Sequence, residues 1–537
     1  MTERTFLAKT KELINSLKSV CTNYGLGNDG NEYKIITQIF LYKYINDKFA
    51  YEVKKINKKL SEAENFQKCF EGFADEELSF LFGRLGNKVP KLYPYQTITY
   101  LHDRQNKDNY QDIFDGTLEQ ISNNNSSKFS IRTSNGARDK MFDKLSSFIL
   151  DEGDKPNFCR ALISKIVDVS FEPMFGEKYD FFASIFEYLI KDYNSDSGGT
   201  YAEYYTPHAV ARIMASILVD EKIPSAKCYD PSAGSGTLLM NIAHTLGERN
   251  CTIYSEDISQ KSSNMLRLNL ILNDLGHSIS NVVKGNTILE PFYREEKFDY
   301  IVSNPPFKLD FSDFSATLDT DINKKRFFAG IPNIPKNKKD SMAIYLLFIQ
   351  HIMYSLSEKG KAAIVVPTGF ITAQSGVERK IREAMIERKL LRGVVSMPSN
   401  IFASTGTNVS VLFLDKKANA EHIVLVDASK LGNTIKEGKN QRTVLTLTEE
   451  QRIIDAMNNK IPENNFSVVV ATEKIKAKNY SFSAGQYFEV KIDYVDITAE
   501  EFKEKMTVFE SKIESLFKQG NLLEIQIQNS LKSLSYG

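Results

Sequence analysis

From residue 166 to about 430, short apolar runs alternate with helical patterns, and that alternation leaves few folds open. Runs that read as strands lie at Ala226–Asp230, Cys251–Ser255, Asn281–Gly285, Phe298–Ser303, Lys361–Pro367, Leu390–Met397 and Val409–Asp415. Apolar residues at helical spacing fill the gaps at 207–219, 235–249, 259–275, 341–357 and 376–389, with one stripe formed by Leu346, Ile349, Ile352, Met353 and Leu356. Strands separated by helices of this length join by crossovers rather than hairpins. The pattern therefore predicts an α/β fold with a doubly wound, mostly parallel sheet.

Such a sheet holds ligands beyond the carboxyl ends of its strands. Three stretches fall there. The first strand runs into Asp230-Pro231-Ser232-Ala233-Gly234-Ser235-Gly236, a glycine-rich turn before a helix. A backbone without side chains lets a nucleotide-like ligand approach closely. The G-x-G-x-x-G pattern of dinucleotide sites is absent, and no lysine starts the helix, so a nucleoside without phosphate fits better. About 20 residues on, after the second strand, comes Glu256-Asp257, where a carboxylate can accept from both ribose hydroxyls and would repel phosphate. After the fourth strand stands Asn304-Pro305-Pro306-Phe307. Proline fixes φ and removes N–H donors, Asn304 adds an amide oxygen, and Phe307 adds an aromatic face. The set suits a flat base with an exocyclic amine. Taken singly, each has a plainer reading: a strand-to-loop stop, a tight turn, a surface acid. Their order and spacing favour the ligand site. Upstream, Glu203-Tyr204-Tyr205-Thr206-Pro207-His208 leads into a helix, with Thr206 expected as its N-cap and Pro207 at its first position. The tyrosines could cover a small ligand or merely pack.

Composition limits the rest. The chain of 537 residues is 42% hydrophobic and 25% charged, enough for two or three domains with a sizeable core. Sixty-eight basic residues balance sixty-eight acidic ones. A protein gripping nucleic acid alone is more often basic, so neutrality argues for a partner that carries the phosphate contacts, or against nucleic acid altogether. Five dispersed cysteines without a Cys-x-x-Cys pair read as small hydrophobes in a reducing compartment, and six scattered histidines predict no metal site. No signal-peptide core and no 18-residue apolar run is present, which predicts a soluble cytoplasmic protein.

The expected domains are a helical region at 1–165, a catalytic domain at 166–430, a continuation at 431–498 and a terminal helix at 499–537. In the first, the turn-rich stretch Asn123–Lys128 is expected to be a loop. The run Lys54, Lys55, Lys58, Lys59 is either a solvated helix face or a phosphate contact. The long polar stretch 308–340 reads as a lid or binding loop, or as disorder. In the last, Phe502, Met506, Phe509, Ile513, Leu516, then Leu523, Ile527 and Leu534 follow alternating steps of four and three with Gly520 and Ser530 in the two gaps, a coiled-coil seam that awaits either a partner helix or its own domain.

In this order, the Thr-Pro region, Asp-Pro-x-Ala-Gly-x-Gly, an acid after the second strand and Asn-Pro-Pro-Phe resemble the N6-adenine DNA methyltransferases. Within them the chain is similar to modification subunits of type I restriction–modification systems, firmly over about 190 to 416. Further matching stretches are Arg326–Gly330, Gly360–Pro367 and Ser396–Phe402 leading into Thr405. The resemblance implies a class I methyltransferase fold and S-adenosylmethionine as cofactor. It places the cofactor against Glu203, Tyr204, Tyr205, Thr206, Pro207, His208, Asp230, Ser232, Ala233, Gly234, Ser235, Gly236, Glu256, Asp257 and Asn286. It assigns Glu256 to the ribose, and Asn304, Pro305, Pro306 and Phe307 to a flipped adenine. At the third strand the family often has an acid where this chain has Gly285-Asn286. Implied partners are double-stranded DNA, a specificity subunit, a second copy of the chain and, as an optional component, a restriction subunit. A protein glutamine N5-methyltransferase, which shares Asn-Pro-Pro with tyrosine as its usual fourth residue, and a non-catalytic cofactor-binding scaffold are the rival functions.

Overall fold

The computed structural model describes residues 3–27, 30–86, 89–175, 206–335, 339–402, 408–418, 420–437, 440–488 and 497–532. Residues 1–488 form one compact unit and 489–537 a second. Among the described residues no helix is long and apolar enough to cross a membrane.

In the first unit helices α1 (Glu3–Asn23), α2 (Gly30–Ile56), α3 (Tyr110–Phe129) and α4 (Lys155–Val167) lie N-terminal to the central strands. Helix α3 runs straight through Asn123–Lys128, which corrects the loop expected there. Asn125, buried on that helix, is held by its own side chain donating to Lys91 O and Ile121 O. Tertiary contacts thus override the low helix propensity of the asparagine run. The lysine run is neutralised on the protein itself: Lys54 pairs with Glu172, Lys55 with Glu52, Lys58 with Glu62 and Lys59 with Glu77.

Thirteen described strands follow: β1 (Ile131–Thr133), β2 (Arg138–Asp139), β3 (Ala226–Asp230), β4 (Cys251–Asp257), β5 (Val282–Lys284), β6 (Phe298–Ser303), β7 (Leu356–Pro367), β8 (Leu391–Ser396), β9 (Val409–Asp415), β10 (His422–Asp427), β11 (Asn433–Glu437), β12 (Asn440–Val444) and β13 (Ser467–Ala471). Eleven build one sheet in the order β13-β10-β8-β9-β7-β6-β3-β4-β5-β1-β2, while β11 and β12 pair separately. Strands β3 to β7 are mutually parallel, so the carboxyl ends of β3, β4, β5, β6 and β7 share one edge. Strand β9 enters antiparallel between β7 and β8. The helical region is not separate from this sheet: β1 extends it in parallel beyond β5.

Crossovers α5 (His208–Leu218), α6 (Thr237–Leu246), α7 (Gln260–Leu272), α8 (Tyr345–Ser355), α9 (Gly376–Glu387) and α10 (Leu447–Asn459) cover the sheet. The period of two divides them. Tyr300, Val302, Ala363 and Val365 pack with α5, α6 and the N-terminal helices. Their neighbours Ile301, Ala362, Ile364 and Val366 pack with α8 and α9. Both faces being covered, the strands read as continuous apolar runs.

The second unit contains α11 (Ala499–Lys532). Its seam residues Phe502, Met506, Phe509, Ile513, Leu516, Leu523 and Ile527 are all between 41 and 59% exposed. Leu534 lies outside the described residues.

Candidate active site at the carboxyl edge

The glycine turn closes β3 onto α6. Gly236 takes φ +83°, which favours glycine, and a Cβ there would run into the Leu266 side chain on α7. Asp230, buried at the strand end, accepts from Ser232 N at 2.9 Å. Burial is the main cause that pushes its carboxyl up to about 8, against the lowering effect of that hydrogen bond.

One strand over, the two acids part company. Successive side chains of β4 point to opposite faces. Glu256 falls on the α8 face, where it is 0% exposed. Its Oε2 accepts from Tyr229 Oη at 2.6 Å and its Oε1 from Phe292 N at 2.8 Å. Asp257 falls on the α6 face and its Oδ2 accepts from Gly234 N at 2.9 Å. The structure therefore turns the Asp257 carboxylate, not that of Glu256, toward the glycine turn, which meets Glu256 only through its backbone carbonyl, accepting from Ala233 N at 3.2 Å. Ile258 follows with 65% of its surface exposed, an apolar side chain on the ligand edge that the sequence reading passed over. In Asn286, after β5, Oδ1 accepts from Ile288 N and Leu289 N at 3.1 Å each. That oxygen closes a turn.

On the other side of β3, strand β6 delivers Asn304 at the same edge. Ser303 Oγ lies 2.7 Å from Ser232 Oγ, which joins the glycine turn to the Asn304 loop. Thr206 does not cap a helix: α5 begins at His208 with Pro207 before it and no side-chain cap. Instead the Thr206 hydroxyl accepts from Asn304 Nδ2 at 3.3 Å. That contact takes the donor end of the amide, and Oδ1 has no hydrogen bond among the described residues. Pro305 is buried, while Asn304, Pro306 and Phe307 are half-buried. The Phe307 ring meets Tyr345 edge-on at 6.2 Å, and Tyr345 meets Phe370 likewise at 6.2 Å. Glu203, Tyr204 and Tyr205 lie outside the described residues.

This edge thus carries a glycine turn without a phosphate-binding lysine, an acid beside it and an acceptor–aromatic loop across β3. Residues 177–493 match the family model described as N-6 DNA Methylase. The chain belongs to that family. The chain is 28% identical over 377 residues to the type I restriction enzyme MpnII methylase subunit of Mycoplasma pneumoniae, covering 66% of this chain and 67% of that one. It is 24% identical over 396 residues to the MjaIX methylase subunit of Methanocaldococcus jannaschii, covering 70% and 67%. In fold it resembles the type I restriction-modification methyltransferase subunit from Streptococcus thermophilus, with a TM-score of 0.71, 20% identity, and 91% and 100% of the two chains covered. All of the described site residues lie within the matched span.

Proposed function

We propose that the chain transfers the methyl group of S-adenosylmethionine to the N6 amine of an adenine swung out of duplex DNA. It acts in the cytoplasm as the modification subunit of a type I restriction–modification complex. A separate specificity subunit selects the site, two copies of this chain serve one complex, and a restriction subunit joins where cleavage is needed. The observation that carries the reading is the Asn304 amide, anchored through Nδ2 on Thr206, three residues before Phe307 and one hydroxyl pair away from the glycine turn.

The residues at the edge fit S-adenosylmethionine. Gly234 and Gly236 admit a ligand to the backbone without a cation for phosphate. The Asp257 carboxylate suits ribose hydroxyls, and exposed Ile258 offers an apolar face for the cofactor's base. When bound, S-adenosylmethionine supplies an electrophilic methyl group. Adenine's N6 is a poor nucleophile because its lone pair is delocalised into the ring. Asn304 Oδ1 and the Pro305 carbonyl accept its two hydrogens, which favours a pyramidal nitrogen with its lone pair aimed along the transfer line. Orientation supplies most of the acceleration. Phe307 stacks on the extruded base and offsets part of the unstacking cost. Asparagine is no base, so the proton leaves N6 for water after transfer.

Phe307 in place of tyrosine and the N-6 DNA Methylase match favour adenine over protein glutamine. The α11 seam favours a helical partner, for which the specificity subunit is our choice. The test is transfer of tritiated methyl from S-adenosylmethionine to unmethylated DNA by the complex co-purified from the native host. Label recovered as N6-methyladenine supports the reading; label on protein, or none, contradicts it.

A further inference from the structure

The stretch after Phe307, expected as a lid or a disordered loop, is a folded insert. It contains two short helices, Ser312–Ser315 and Asp321–Lys324. Phe311, Leu318 and Phe327 pack with Met342, Leu347 and Phe348, and with Ile288 from the loop after β5. Its base is closed by Leu309 N donating to Met342 O at 3.1 Å.

Within it, Arg326 is 1% exposed. Its Nη1 donates to Thr287 O at 3.0 Å and its Nη2 to Ile288 O, while Nε has no hydrogen-bond partner among the described residues. Burying a guanidinium is costly, and an apolar side chain of similar volume would fill the space without that cost. What an apolar side chain cannot do is hold two adjacent carbonyls. The same loop is tied at three other points. Thr287 Oγ1 donates to Pro231 O at 2.8 Å, Gly285 N to Asp257 O at 2.9 Å, and Phe292 N to Glu256 Oε1 at 2.8 Å. Residues 285–292 are therefore pinned to the glycine turn, to the end of β4 and to the insert.

The position of this loop matters for the ligand. The glycine turn, Asp257 and residues 285–292 follow the ends of β3, β4 and β5, spaced about 4.8 Å apart along the edge. A nucleoside with its ribose at Asp257 puts its base over the end of β5. We infer that Arg326 is a positioning residue for the cofactor: from the segment that leaves the target-base loop, it fixes the 287–288 backbone against which the cofactor's base is held. This rests on the cofactor reading above. It also makes cofactor affinity depend on a segment that starts one residue after Phe307.

The test compares wild type, Arg326→Met, Arg326→Lys and Phe311→Leu in the full-length chain. Equilibrium affinity for S-adenosylmethionine is measured by calorimetry, the Tm by thermal unfolding, and kcat and the KM for DNA on the co-purified complex. Arg326→Met should weaken the cofactor tenfold or more, with kcat at saturating cofactor and the KM for DNA within twofold of wild type. Arg326→Lys, which can still reach one carbonyl, should fall between the two. Phe311→Leu should lower the Tm and leave cofactor affinity within twofold. Equal affinity in wild type and Arg326→Met overturns the inference, as does equal weakening by Phe311→Leu. Should Arg326→Met fail to fold, Arg326→Lys decides, with threefold weakening or more in support and unchanged affinity against. Wild type that binds no S-adenosylmethionine would instead overturn the functional reading itself.

Discussion

Under the proposed function, the Thr206 hydroxyl sets which end of the Asn304 amide meets the substrate, because it holds Nδ2. Thr206→Val removes that acceptor and lets the amide turn over. Loss of one neutral hydrogen bond is worth about 1 kcal/mol, so kcat at saturating cofactor should fall roughly five- to tenfold, and Thr206→Ser should restore it. Steady-state kinetics beside a binding isotherm checks this. Asp230 makes a second residue-scale case. Its carboxyl, pushed up to about 8, keeps its proton in the native state over a range where the unfolded chain has released it. The native state then binds more protons, so stability falls as pH rises between about 4 and 8. Asp230→Asn, which stays neutral throughout, should flatten that slope in denaturant titrations taken at several pH values. Neither Thr206 nor Arg326 could be assigned its contact from sequence, because each meets its partner across a long stretch of chain. The Glu256–Asp257 ambiguity had a different cause. In a strand buried on both faces, polarity does not reveal which parity faces which layer. The neighbouring register settles it: Glu256 stands opposite Val283 on the α8 face, and Asp257 opposite Lys284.

The elements themselves were largely legible. Strands β3, β6 and β9 run between the residues the apolar pattern marks, and α5, α6, α7, α8 and α9 occupy the expected gaps within a few residues. Misses follow from weak local signal. The β11–β12 hairpin is mostly polar, and β13 is a short apolar run with no period to distinguish it from a loop. The helix through Asn123–Lys128 exists because Asn125 is bonded to Lys91, not because its sequence favours it. At this scale the tightest constraint is the approach of the glycine turn to α7. Gly236→Ala meets both a positive φ and Leu266. It should destabilise the first unit by roughly 1–3 kcal/mol from overpacking, read as a shift of the denaturation midpoint at constant slope. Cofactor affinity should fall with it, since the same turn borders the ligand edge.

For the whole molecule, the balance of charge and the exposed seam point the same way. The chain carries no net charge, and its lysine run is paired with its own carboxylates. Both agree with the proposal that a partner selects the site, for which α11 offers a row of exposed apolar side chains. The double substitution Phe509→Glu with Ile513→Glu should abolish co-purification of the partner subunit, leaving the Tm of the first unit and its cofactor affinity unchanged. Retained co-purification would assign the seam to another role. The sequence could mark the seam by its steps of three and four but not say what covers it, because an apolar stripe carries no identity. The central claim, that Asn304 activates an adenine amine, is tested most directly by Asn304→Ala in the co-purified complex, with cofactor affinity and N6-methyladenine formation measured on one preparation. The account predicts unchanged S-adenosylmethionine affinity and a loss of methyl transfer of about 100-fold or more, the scale of losing one preorganised transition-state contact. Methyl transfer within a few-fold of wild type, with the cofactor still bound, would contradict it.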